Sequence, residues 1–239
     1  MNTIKLEKRG VKMIAHRGVS GLECENTAAA FVAAGNRSYF GIETDMHVTR
    51  DGKFAIIHDA EVGRVSGASL NVETADFSET DAIRLYDCKP GLTRRDLVIP
   101  ELCEYIRICK RYDKVAVLEL KTYADIETFA KMIEEIRALD YLDKVIFISF
   151  GKSAVENIRR LLPDAKIQFL LSYWDPELLP WMLENRFDLD IGAGELTPEL
   201  VKLMHENGRE VNCWTVNDKA QAEKLIEMGV DYITTNILE

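Results

Sequence analysis

From Pro100 onward, short apolar runs alternate with amphipathic stretches, and few residues are spent between them. That rhythm constrains the fold more than any other feature of the chain. Residues 115–120, 145–150, 166–171, 190–193, 210–216 and 232–235 read as strands; residues 101–111, 126–139, 153–162, 176–185, 198–207 and 218–228 read as helices. Strands that follow one another through single helices must run parallel. Ahead of Pro100, residues 11–15 form a strand ending at His16-Arg17-Gly18, and residues 27–34 form a helix capped by Asn26 or Thr27 and stopped at Gly35-Asn36. Residues 39–48 and 54–57 are strands around the turn Asp51-Gly52, while residues 59–99 lose all periodicity. An open doubly wound sheet would show a Gly-rich phosphate loop after its first strand, and there is none. The expectation is therefore an α/β chain forming one (β/α)₈ barrel domain over residues 1–239, with residues 59–99 as a small insertion after the second strand. Because the sequence stops just past its last strand, either the final helix is missing or another segment, such as part of the insertion, covers that strand.

Charge and cysteine usage then narrow the partners. Lys and Arg number 30 against 40 Asp and Glu, a net charge of −10. Such a surface repels nucleic acid and anionic lipid, and the basic pairs Arg94-Arg95 and Lys110-Arg111 are too small to override it. A small anionic substrate stays open, since net charge does not describe one cleft. Cys24, Cys88, Cys103, Cys109 and Cys213 show neither C-x-x-C nor zinc-like spacing, which suits free thiols in a reducing cytoplasm. Residues 1–10 carry no apolar signal core, and no run approaches the ~18 apolar residues that span a bilayer. No stable membrane anchor is expected; self-association is left open.

Barrel chemistry gathers at the C-terminal ends of the strands, where this sequence places ionisable groups. The first strand ends in His16-Arg17, the second carries Glu43 and Asp45 on one face, and the third carries Glu119 and Lys121 on one face. Three carboxylates without a Cys/His ligand set suit a hard divalent cation, Mg²⁺ or Ca²⁺. A cation beside Arg17 and Lys121 suits phosphate. His58, just past the hairpin, adds a second imidazole, so base and acid for cleaving a phosphodiester are both present, with Asp59 placed to orient one of them. Singly, each of these residues would be an ordinary structural or surface group; together they fall at strand ends on one face. His47 reads as a surface or pocket-wall residue rather than a ligand, His205 as part of a polar helix face, and the cysteines as small packing residues.

These residues also fall into a known order. His16-Arg17-Gly18, Glu25-Asn26-Thr27, Glu43-Thr44-Asp45-Met46, Thr49-Arg50-Asp51-Gly52 and Ile56-Ile57-His58-Asp59 resemble the signature of glycerophosphodiester phosphodiesterases. The likeness continues at Glu119-Leu120-Lys121, Ser149-Phe150, Trp214-Thr215-Val216-Asn217 and Gly229-Val230-Asp231. The resemblance implies a TIM barrel, a Mg²⁺ or Ca²⁺ held by Glu43, Asp45 and Glu119, catalytic His16 and His58, phosphate contacts from Arg17 and Lys121, and Trp214 at the pocket wall. It further implies metal-dependent hydrolysis of a small-molecule glycerophosphodiester to glycerol 3-phosphate and an alcohol. The alternatives are a phospholipase D-like lyase that stops at a cyclic phosphate, or a barrel that binds phosphodiesters without turnover. Two positions depart from the signature: Cys24 stands where Pro is common, and Thr235-Asn236 where a Thr-Asp pair is usual. Neither is expected to touch the metal or acid/base set. The insertion, with Phe150, Tyr173, Trp174 and Trp214, is expected to wall the pocket.

Overall fold

The computed structural model describes residues 2–87 and 91–239, so Cys88 lies outside the described residues. Its strands are β1 (Lys12–Ala15), β2 (Gly41–Val48), β3 (Phe54–Ile56), β4 (Val115–Leu120), β5 (Val145–Ser149), β6 (Lys166–Leu171), β7 (Asp188–Gly192), β8 (Val211–Trp214) and β9 (Tyr232–Thr235). All except β3 run parallel in the ring β1-β9-β8-β7-β6-β5-β4-β2, and β1 pairs with β2 to close it. This is the expected eight-stranded barrel. β3 is an antiparallel hairpin arm, with Met46 opposite Ile56.

Helices α1 (Ala28–Gly35), α2 (Gly63–Ser66), α3 (Phe77–Asp81), α4 (Leu102–Arg111), α5 (Ile126–Ala138), α6 (Lys152–Leu161), α7 (Leu179–Glu184), α8 (Pro198–Glu206) and α9 (Lys219–Met228) follow. Their starts are written in the sequence: Thr27, Asp125, Thr197 and Asp218 each accept a hydrogen bond from a backbone N–H in the first turn. The helix read over residues 176–185 is instead a 3₁₀ turn, Pro176–Leu178, followed by α7, with Pro180 starting the second segment rather than interrupting one. β7 begins two residues before the expected start because Asp188 and Asp190, inward-facing acids, hide a strand from a hydrophobic reading.

Alternate strand residues sort the two cores. Met13, Ile42, Leu118, Phe147, Leu189 and Ile233 pack outward beneath the helices, whereas Ile14, Val117, Ile146, Ile148, Leu170 and Tyr232 fill the barrel. The floor of the barrel is polar: Lys12 reaches Glu210 at 3.1 Å, Lys166 reaches Asp188 at 3.0 Å and also pairs with Glu210, and the Tyr232 hydroxyl donates to Glu210 at 2.7 Å.

No helix follows β9 among the described residues. The tail beyond it pairs with the N-terminal segment, Ile4 against Leu238, through Ile4 N–H to Ile237 O at 3.0 Å and Glu239 N–H to Ile4 O at 2.8 Å. The insertion packs elsewhere. Val62, Val72, Leu85, Leu97 and Ile99 form a small separate core with Ala55 and Ile57 of the hairpin and with Cys24.

Candidate active site

The turn after β1 sets the first catalytic candidates. Arg17 and Gly18 both have positive φ, 53° and 75°, and a Cβ on Gly18 would lie 2.6 Å from the Ala30 Cβ, so only glycine lets α1 approach this closely. That turn presents the Arg17 N–H to Glu43 Oε2 at 2.8 Å and ties Asn26 N–H to Arg17 O at 3.0 Å.

Register does the rest. Asp45 of β2 is paired with Glu119 of β4, and Glu43 lies two residues before Asp45 on the same face. Glu43, Asp45 and Glu119 each offer a carboxylate oxygen within 4.8 Å of the others, and all three are buried. Such an arrangement is electrostatically costly. Burial, with Asp45 and Glu119 beside it, pushes the Glu43 carboxyl well above its ordinary range. Burial and Asp45 push Glu119 up to about 7, against the opposing pull of Lys121. Asp45 is also buried, but Arg17, Lys121 and His58 overcome that and hold it below the usual carboxylate range. Its Oδ2 accepts from Asn26 Nδ2 at 2.8 Å; Arg17 Nε stands 3.4 Å and Lys121 Nζ 3.6 Å from its oxygens. Lys121 also meets Glu119 at 3.0 Å. Three buried oxygen donors with a surplus of negative charge fit a hard divalent cation.

The imidazoles flank this triad. His16 Nδ1 is 2.7 Å from Asn236 Oδ1, which also accepts from the Ser20 hydroxyl at 3.0 Å. Nδ1 therefore carries the hydrogen, and Nε2, 3.9 Å from Glu43 Oε2, keeps its lone pair toward the pocket. Burial and Arg17 push His16 down to about 4. This corrects the expectation that Asn236 stands clear of the acid/base set. β9 closes against β1, and the His16 N–H to Thr235 O bond of 2.8 Å brings position 236 to the imidazole. His58 Nδ1 meets Asp59 Oδ1 at 2.7 Å; burial lowers its pKa, with Asp45 opposing.

A cavity of about 110 Å³ is lined by His16, Arg17, Glu43, His58, Glu119 and Lys121, together with Ile148, Phe150, Leu170, Asp190, Trp214, Thr215 and Thr234. The expected site residues thus meet in one place, with Asp45 just behind the wall. Phe150 and Trp214 stack edge to face at 5.7 Å between ring centroids. Tyr173 and Trp174 are not part of this wall: Tyr173 is 75% exposed, and Trp174 packs on the outer core. Nor does any described residue of 59–99 line it. The insertion acts one step back. Arg64 binds Asp59 at 2.5 Å and Glu25 at 2.8 Å, and Glu25 in turn binds Arg17 at 2.9 Å, so one guanidinium joins the partner of His58 to the partner of Arg17. His47 is neither ligand nor surface residue. It is a buried clasp between Glu73 Oε1 at 2.8 Å and the backbone oxygen of His58 at 3.0 Å. His205 pairs with Asp231 at 2.9 Å, away from this site.

The chain is similar to known proteins along nearly its whole length. The profile of the glycerophosphoryl diester phosphodiesterase family matches residues 16–239. A glycerophosphodiester phosphodiesterase of Caldanaerobacter subterraneus subsp. tengcongensis is 32% identical over 233 residues, covering 94% of this chain and 93% of that one. One from Bacillus subtilis is 28% identical over 248 residues, covering 93% and 82%. Among solved structures, a phosphodiesterase of Oleispira antarctica in complex with the product sn-glycerol-3-phosphate superposes with a TM-score of 0.80 at 23% identity over 94% of this chain and 92% of that one. A glycerophosphodiester phosphodiesterase of Thermotoga maritima gives 0.75 at 24% identity over 95% and 94%; these two likenesses establish the common barrel. On a profile that spans nearly the whole sequence and a relative above 30% identity along its length, the chain belongs to the glycerophosphoryl diester phosphodiesterase family.

Proposed function

We propose that the chain hydrolyses small glycerophosphodiesters to glycerol 3-phosphate and an alcohol, with Glu43, Asp45 and Glu119 holding Mg²⁺ or Ca²⁺ and with His16 and His58 as base and acid. The observation that carries this reading is the buried triad flanked by two imidazoles and two cationic side chains in one cavity. A cation held there would neutralise charge on the phosphoryl oxygens. Arg17 and Lys121, released from Asp45 and Glu119, bind the phosphate. Nε2 of His16 takes the proton of the substrate's glycerol 2-hydroxyl as that oxygen bonds to phosphorus, an intramolecular attack whose effective molarity can reach ~10⁵ M. The bond to the departing alcohol breaks, and His58, aligned by Asp59, gives that oxygen its proton. Water then opens the cyclic phosphate with the two imidazoles in exchanged roles.

The direct test is phosphorus NMR of glycerophosphocholine incubated with the protein. Linear glycerol phosphate is the expected product. Accumulating cyclic phosphate would instead identify a lyase, and tight binding without turnover a silent barrel. Profiling the ethanolamine, glycerol and inositol diesters alongside identifies the preferred alcohol. Replacing Trp214 with Ala is expected to weaken turnover of all four diesters, since its ring bounds the shared pocket; unaltered kinetics would remove it from the site. Cys103, Cys109 and Cys213 are free thiols, and among the described residues no helix is long and apolar enough to cross a membrane. We place the enzyme in the cytoplasm on the thiols.

Arg64 offers a second check. Arg64→Ala is expected to lower kcat/KM about tenfold by loosening Asp59 and Glu25 together, while the melting temperature barely moves, because half-exposed ion pairs contribute at most about 1 kcal/mol. Unchanged kinetics would show that the insertion does not steady the site.

A further inference from the structure

One carboxylate of the cavity takes no part in the chemistry described so far. Asp190 lies on β7, four strands from β2 in either direction around the ring, and so faces Glu43 and Asp45 across the barrel. It is 1% exposed, yet it lines the cavity with Ile148, Leu170 and Thr234. Leu189 and Ile191 pack outward, so Asp188, Asp190 and Gly192 point inward, and Gly192 has no side chain to cover Asp190 from the mouth.

Burial and Glu119 push its carboxyl well above the ordinary range, with the Asn212 side chain opposing them, and Asn212 is itself fixed by Gln168 Oε1 at 3.0 Å and by the Thr234 hydroxyl at 3.2 Å. Asp190 Oδ1 is buried with no hydrogen-bond partner. So is Nε1 of Trp214, which sits on the neighbouring strand in register with Gly192. A buried acceptor and a buried donor, both unsatisfied on adjacent strands of one cavity, suit an aliphatic hydroxyl, which can donate to one and accept from the other.

We propose that Asp190 is the specificity-determining residue for the substrate's glycerol half, accepting a hydrogen bond from its terminal hydroxyl. The inference rests on the proposed phosphodiesterase reading. With phosphate and the 2-hydroxyl at His16 and the triad, the remaining glycerol carbon points across the barrel toward β7. The enclosed floor fits the part common to all glycerophosphodiesters, whereas the varying alcohol leaves by the open mouth beside Phe150, which is 44% exposed.

The test compares glycerophosphocholine with propane-1,2-diol phosphocholine, which keeps the attacking 2-hydroxyl and lacks the terminal one. Wild type should favour the glycerol compound by about 10- to 100-fold in kcat/KM, chiefly through KM, the range expected when buried polar partners are left without their hydrogen bonds. Asp190→Ala should reduce that preference to about threefold or less, and Asp190→Asn, which keeps an acceptor, should retain part of it. A wild type that does not discriminate, or an Asp190→Ala enzyme with the same preference, overturns the assignment. Should neither diester be turned over by wild type, the catalytic reading fails. Calorimetric binding of sn-glycerol 3-phosphate against propane-1,2-diol phosphate, in wild type and Asp190→Ala, still decides on Asp190: lost discrimination in the variant supports it, and equal discrimination overturns it.

Discussion

Chelation by EDTA should lower turnover of glycerophosphocholine by about a thousandfold or more, and Mg²⁺ or Ca²⁺ should restore it, because charge stabilisation of several kcal/mol at the phosphoryl group would disappear with the ion. The triad gives a reason why the protein's own cations would not substitute. Lys121 and Arg17 lie within 3.6 Å of its carboxylates, yet Glu43 still sits well above its ordinary pKa and Glu119 at about 7. Below pH 7 Glu119 holds a proton that a cation must displace, and the raised Glu43 carboxyl acts in the same direction, so apparent ion affinity should rise as pH rises through about 7 and weaken as it falls. The readout need not be activity. At one hundred times its dissociation constant the ion adds about 2.7 kcal/mol, which for a chain of this size is a rise of roughly 5 to 10 °C in melting temperature. Full activity in EDTA, or a melting temperature indifferent to both ions, would remove the cation from the mechanism.

Most of this centre was legible from residue spacing because strands convert spacing directly into direction. Glu43 and Asp45, two apart, had to share a face, and so did Glu119 and Lys121; barrel closure then had one mouth at which to gather them. What escaped was set by contacts between distant parts of the chain. Nothing near Asn236 announces His16, 220 positions away, and only the closing pair of strands brings them together. Asp190 escaped for the opposite reason. Acid and apolar residues alternate from Asp188 to Ile191, as an amphipathic strand should, but a search for hydrophobic runs starts such a strand two residues late and gives its inward-facing acids no role. The insertion was recognised by its lack of periodicity, which carries no directional information. Its Arg64 and Glu73 are therefore visible only where the folded loop sets them behind His58.

His16→Ala should cost about 10²- to 10⁴-fold in kcat/KM, the range for losing a positioned general base, and the companion change Asn236→Asp should reveal which state of the imidazole works. His16 must be neutral to accept the 2-hydroxyl proton. With its pKa pushed down to about 4 by burial and Arg17, wild-type kcat/KM should rise with pH through about 4 and be flat on that account by pH 6. Asn236 contributes a neutral oxygen at 2.7 Å, which orients Nδ1–H without adding charge. A carboxylate in the same place favours the imidazolium, so the His16 pKa rises and the acid limb moves upward by about one to two units. Asn236→Asp would then be slower than wild type near pH 5 and approach it near pH 7. A merely structural role for Asn236 would lower the whole profile without displacing it. An acid limb that stays where wild type has it would detach Asn236 from the base, and a His16→Ala enzyme of normal activity would detach His16 from the reaction.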